Sequence, residues 1–130
     1  MIINGKNAVL GRLASSVARE LLKGEEVTVT NAEKIIITGD EKKIVAKYTN
    51  LRQIGSPQHG PFFPTRPEMI VKRAIRGMLP YKTPKGRKAL KMLRVYANNE
   101  DKNAKSIATK EIRTDYITIA KLSKHLGWRE

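Results

Sequence analysis

Ten side chains able to grip phosphate crowd into one stretch of this chain: Arg66, Lys72, Arg73, Arg76, Lys82, Lys85, Arg87, Lys88, Lys91 and Arg94. Between Met69 and Ala97 there are nine Lys or Arg and no Asp or Glu. Such a set does not transfer protons or attack carbonyls. It neutralises charge, by donating charged hydrogen bonds to the oxygens of a polyanion. Ordinary solvated surfaces mix signs, whereas like charges packed this densely repel, with screening only beyond about 8 Å at physiological salt. A polyanionic partner makes sense of that cost.

The sorting extends along the whole chain. Lys42–Asn99 carries 14 basic residues against a single acid, Glu68. Met1–Glu41 carries 5 and 6, and Glu100–Glu130 carries 7 and 5, so the formal charge of +14 resides in the middle. Arg52 and His59 lie at the N-terminal side of this stretch and join the candidate contacts. Neutralising roughly 6–10 phosphates would give a log–log salt slope of roughly −5 to −8. Phe62-Phe63 and Tyr81 can stack on unpaired bases or fill the core.

Material for catalysis is scarce. The two histidines, His59 and His125, are far apart, and no cysteine is present, so neither a thiolate site nor a histidine metal cluster is expected. Phosphate-loop, dinucleotide-turn and nucleophile-elbow motifs are absent. Paired carboxylates cannot come from a basic stretch that holds only Glu68. Glu25-Glu26, Asp40-Glu41 and Glu100-Asp101 read as turns and helix starts, and Asp115 as a lone acid. The expectation is a protein that is not an enzyme, with no cofactor and no small-molecule substrate.

Several elements must position these cations. At 130 residues and 40% hydrophobic, the chain suits a single domain, 1–130, with a basic region at about 52–94. Such a length buries roughly two-thirds of its unfolded surface. No run approaches a membrane span, Met1–Gly5 lacks the character of a secretory leader, and a cytoplasmic location is expected. Met1–Asn4 and Val27–Thr30 read as strands. Leu10–Lys23 is an amphipathic helix with Leu10, Leu13, Ala14, Val17, Ala18 and Leu21 on one side and Gly24 as its stop. Ile35–Thr38 reads as a strand buried on both faces. Asp40 caps a helix to about Arg52, with Ile44, Tyr48 and Leu51 inward.

Gly55–Pro67 is a long loop rich in Gly and Pro. Pro67 opens a helix to about Leu79, with Ile70, Val71, Ala74, Ile75 and Met78 packed and Lys72, Arg73 and Arg76 opposite. Tyr81–Gly86 reads as a basic loop whose backbone amides can add phosphate contacts. A short helix is expected from about Arg87, with Arg87, Lys91 and Arg94 at i, i+4 and i+7. Leu93–Tyr96 is a strand candidate and Asn98–Ala104 a polar turn. Thr118 caps a last helix to Leu126, ended by Gly127. His125 reads as a surface residue without a partner, and Trp128 covers the sheet end or meets a neighbouring chain.

Four blocks stand out together: Leu10-Gly11-Arg12-Leu13-Ala14-Ser15; Asn31-Ala32-Glu33-Lys34 before Ile37-Thr38-Gly39; Arg66-Pro67 before Arg73-Ala74-Ile75-Arg76-Gly77-Met78-Leu79-Pro80; and Gly86-Arg87-Lys88-Ala89-Leu90 before Leu93-Arg94-Val95-Tyr96. In this order they resemble the ribosomal protein L-thirteen family of the large ribosomal subunit, strongly over residues 1–97. The Asn-Ala-Glu-Lys form and compact length look archaeal. The resemblance implies a three-layer α/β/α domain around a small, mainly parallel sheet. It also implies binding to large-subunit ribosomal RNA, contact with neighbouring ribosomal proteins and a role in subunit assembly. Carried over to this sequence, the RNA-facing residues are Arg73, Arg76, Lys82, Lys85, Arg87 and Lys88, while Arg12 belongs to the family motif with either a structural or an RNA-binding role. The competing readings are an architectural DNA-binding protein, an enzyme acting on nucleic acid and a messenger-RNA regulator outside the ribosome.

Overall fold

The computed structural model describes residues 1–53, 65–80, 82–98, 105–106 and 115–128. The Gly/Pro loop with His59 and Phe62-Phe63, Tyr81 and most of the polar turn at 98–104 lie outside the described residues, as does the side chain of Arg52.

The chain opens on a β-α-β unit. Strand β1 (Ile2–Asn4) pairs in parallel with β2 (Val27–Thr30), and helix α1 (Leu10–Leu22) crosses between them. Parallel neighbours require such a crossover. All six apolar residues of the α1 stripe are buried, with Leu13, Ala14 and Val17 fully so. Each large one contributes roughly 1.5–3 kcal/mol by leaving water. The helix ends as expected at Gly24, whose φ of +93° is left-handed. The Gly24 N–H donates to Leu21 O and the Glu25 N–H to Glu20 O, closing the last turn on itself.

Beyond β2 the chain leaves the sheet. Asn31 adopts a left-handed conformation (φ 55°) and a single 3-10 turn, Ala32–Lys34, redirects the backbone. Strand β3 (Ile36–Thr38) therefore pairs outside the main sheet, antiparallel to β6 (Tyr116–Thr118). The expected burial on both faces holds at Ile35 and Ile36, both buried, and fades along the strand, with Ile37 half-buried and Thr38 exposed. Ile35, just before the strand, is fully buried and sits against Gly5, where an added Cβ would lie 2.6 Å from Ile35 Cγ1.

The main sheet is completed by β4 (Leu93–Val95) beside β2 and β5 (Lys105–Ser106) beside β1, giving the order β4-β2-β1-β5, all parallel. The α/β class and the mainly parallel sheet are thus observed. Helix α2 (Glu41–Gln53) starts where Asp40 Oδ1 accepts from the Lys42 N–H at 3.2 Å, with Ile44 buried and Tyr48 and Leu51 half-buried. Helix α5 (Ile119–His125) is capped by Thr118, whose hydroxyl oxygen accepts from the Lys121 N–H, and it closes at Gly127. Ile119, Leu122 and Leu126 are buried as expected, and Trp128 is half-buried.

Candidate nucleic-acid interface

Two helices carry the described cations, and both pack on α1. Helix α3 (Pro67–Met78) has Pro67 in its first turn, where a missing N–H costs nothing. Pro67, Ile70, Val71 and Ile75 are buried, and Ala74 is half-buried. Arg66 and Arg73 are exposed, while Lys72 and Arg76 are half-buried, so the long stems cover apolar surface and the heads reach outward. Met78 departs from expectation: it is 46% exposed, against 3% for Leu79. The helix stops at Met78, and the extended backbone of Leu79 (φ −100°, ψ 146°) turns that side chain inward in its place.

Helix α4 (Pro84–Lys91) begins three residues before the expected start at Arg87. Thr83 is its N-cap: the hydroxyl oxygen accepts from the Gly86 N–H at 3.2 Å, and Pro84 follows. Two expectations are corrected. Lys85 stands on the helix rather than on a loop, and the Gly86 amide is spent on the cap instead of being offered to phosphate. Gly86 and Ala89 face the core, while Lys85, Arg87, Lys88 and Lys91 are all exposed. Lys82 is exposed just ahead of the cap. Arg94 is not a third helical position. It lies on β4, exposed, and its Nη1 donates to Lys91 O at 3.0 Å and to Leu93 O at 3.1 Å, closing the α4 C-terminus. Cations at helix C-termini are favoured by the macrodipole.

Arg66 Nη1 lies 4.0 Å from Glu68 Oε1, with the arginine 69% exposed. An exposed pair at that distance contributes about 0–1 kcal/mol. Arg12 is exposed on α1.

A second charged region lies elsewhere, where α2 meets α5. Glu41 Oε1 accepts from Lys121 Nζ at 2.9 Å and faces His125 Nε2 at 3.5 Å. His125 thus has a partner, contrary to expectation. The Lys121 ammonium, hydrogen-bonded to it, holds the Glu41 carboxyl below its ordinary value. A cleft of about 630 Å³ beside this cluster is lined by Glu41, Val45, Ala46, Thr49 and His125 among others. Asp115 is not alone either: with Asp40, Glu41 and Tyr116 it lines a smaller cleft of about 350 Å³, because β6 lies against β3. Among the described residues no three His, Asp or Glu side chains converge as a metal site. Tyr48, on α2, has its hydroxyl pKa raised by burial.

The sequence model of the family described as Ribosomal protein L13 matches residues 1–102, which span β1 through β4 and both cationic helices. This chain belongs to the ribosomal protein L13 family. It is 47% identical to the large ribosomal subunit protein uL13 of Methanocaldococcus jannaschii, with 97% of this chain and 96% of that protein aligned. The uL13 of Methanopyrus kandleri is 43% identical, covering 98% and 87%, and that of Archaeoglobus fulgidus is 40% identical, covering 98% and 88%. Membership in the L13 family carries a structural role in the large ribosomal subunit. Among the described residues no helix is long and apolar enough to cross a membrane.

The early start of α4 was visible in principle. Thr83-Pro84 is the N-cap and first-turn pair that opens many helices. Exposed Met69, 43% accessible among the α3 cations, carries no such signal.

Proposed function

We propose that α3 and α4 form a cationic clamp for large-subunit ribosomal RNA, through which the protein supports assembly of the subunit. One observation carries this reading: of nine cations in a stretch without an acid, seven stand on two helices whose apolar sides are buried and whose charged sides point outward, with Lys82 just before α4 and Arg94 just after it. Arg66, Lys72, Arg73 and Arg76 act from α3 and its cap. Lys82, Lys85, Arg87, Lys88 and Lys91 act from α4 and its approach. Arg94 contributes the donors left over from the helix end. Arg52 and His59 are further proposed contacts, the Arg52 side chain and all of His59 lying outside the described residues.

The mechanism is electrostatic and geometric. Crowded phosphates release counterions when these groups neutralise them, which makes affinity steeply dependent on salt. The α/β body fixes the relative positions of the cations, so the RNA is selected by the spacing of its phosphates rather than by base edges. Neighbouring large-subunit proteins complete the setting, in the cytoplasm. No reaction is catalysed and no cofactor is used.

The test is incorporation. Arg73→Glu, Arg76→Glu and Arg87→Glu together should abolish entry into reconstituted large subunits while circular dichroism stays native. Incorporation at the wild-type level by a folded triple variant would overturn the proposal. Duplex DNA at equal salt serves as the competitor that reports general polyanion affinity.

A further inference from the structure

Helix α3 contains a glycine that its own fold does not explain. Gly77 lies inside the helix, one residue before its end, and is exposed. It is not among the glycines with positive φ, which are Gly24, Gly39 and Gly127. Among the described residues a Cβ built there would meet nothing within 4 Å, which is also true of Gly11 in the first turn of α1. By contrast, a Cβ at Gly5 would strike Ile35 and the backbone of Thr30. Glycine is the poorest helix former after proline, so an alanine at 77 would suit the isolated protein better.

What surrounds Gly77 on the helix surface supplies a reason. Met69, Arg73 and Gly77 follow one another at i, i+4 and i+8, a single row along the outer face, and Arg76 is adjacent. A row with cations at its middle and a bare peptide at its end suits a polyanion that must come closer than a methyl group permits. We propose that the RNA sugar–phosphate backbone closes directly onto the α3 backbone at Gly77, with Arg73 and Arg76 holding the flanking phosphates. This deepens the ribosomal-RNA reading above and rests on it. The contact is steric rather than ionic: the missing side chain sets the depth of approach, and the arginines set its strength.

The experiment is Gly77→Ala in the full chain, beside wild type, Arg76→Gln and the triple Arg→Glu variant. Each is titrated against large-subunit ribosomal RNA of Methanocaldococcus jannaschii stripped of protein, across a salt series. Gly77→Ala should melt at or above the wild-type temperature, by about 2–4 °C. It should bind about tenfold or more weakly at every salt concentration, with an unchanged log–log slope because no charge is lost. Arg76→Gln should flatten that slope by about one. Binding by Gly77→Ala within twofold of wild type would overturn the close approach. A lower melting temperature would overturn it too, by showing that the glycine serves the fold. If the triple variant loses binding while Gly77→Ala does not, only the close approach fails. If the triple variant also binds normally, the ribosomal-RNA reading fails with it.

Discussion

The α3–α4 surface and the α2–α5 corner are both rich in cations, yet they are built in opposite ways. At the corner, Lys121 and His125 converge on one carboxylate oxygen of Glu41, and Asp40 and Asp115 stand nearby. Its charges are balanced within the protein. On α3 and α4 the residues from Met69 to Ala97 include no acid, and the described cations lie on the sides turned away from the core. Charge of one sign sorted this densely in the sequence is what a polyanion-binding surface requires. Under the function proposed above, the contrast separates cations that pair with a nearby carboxylate from cations offered to RNA.

The sharpest way to break this contrast is to swap the consequences. Reversing Arg73, Arg76 and Arg87 to Glu should cost more than about a hundredfold in RNA affinity and lower the salt slope by about three or more. Thermal stability should hold, because those changes relieve like-charge crowding. The mirror experiment, Lys121→Glu, should leave RNA affinity within twofold while lowering the melting temperature. A corner variant that weakened RNA binding as strongly as the triple variant would erase the distinction.

Next in size is the scaffold beneath the clamp. Thr83→Ala removes the α4 cap and should cost about 1 kcal/mol in denaturant unfolding. Because α4 carries four exposed cations, the same change should weaken RNA binding without altering the salt slope. Thr118→Ala, the equivalent change on α5, should cost similar stability and spare RNA binding. The pair compares identical chemistry in the two regions.

The smallest effects are titrations. The Glu41 carboxyl is held below its ordinary value in the folded protein, so its contribution to stability is present above the unfolded value, about 4.3. It is lost as pH falls through the folded value. Wild type should therefore exceed Glu41→Gln in melting temperature at pH 7, with the gap closing in acid. Tyr48 is displaced upward by burial, so its contribution is complete below about pH 10 and declines as pH rises toward the folded value. Tyr48→Phe should flatten that alkaline decline in a pH series of melting curves.

Much of this architecture was legible before any coordinates. The α1 stripe names its buried residues one for one, because six apolar positions at helical spacing admit a single face. The charged sides of α3 and α4 were legible for the same reason. What escaped was set by tertiary pairing or by brevity. β5 and β6 are two and three residues long, too short for any periodicity to show. Continuous apolarity over Ile35–Thr38 does not show where along the run burial ends, and it ends at Thr38. His125 and Glu41 are far apart along the chain and meet only because α5 returns to α2. Met78 was misplaced by a helix boundary one residue off, since ending the helix there hands the core position to Leu79.

The parallel order β4-β2-β1-β5 has a consequence for how the molecule comes into being. The first strand to be synthesised takes an inner position, and both outer strands come from much later in the chain. β1, α1 and β2 can associate as soon as they emerge, but α3 and α4 precede β4, the strand that ties them to the sheet. Before that strand docks, α1 is the packing surface open to both cationic helices. Loop closure over such distances is slow compared with local helix formation. The main sheet is therefore completed only after the whole cationic stretch has been synthesised.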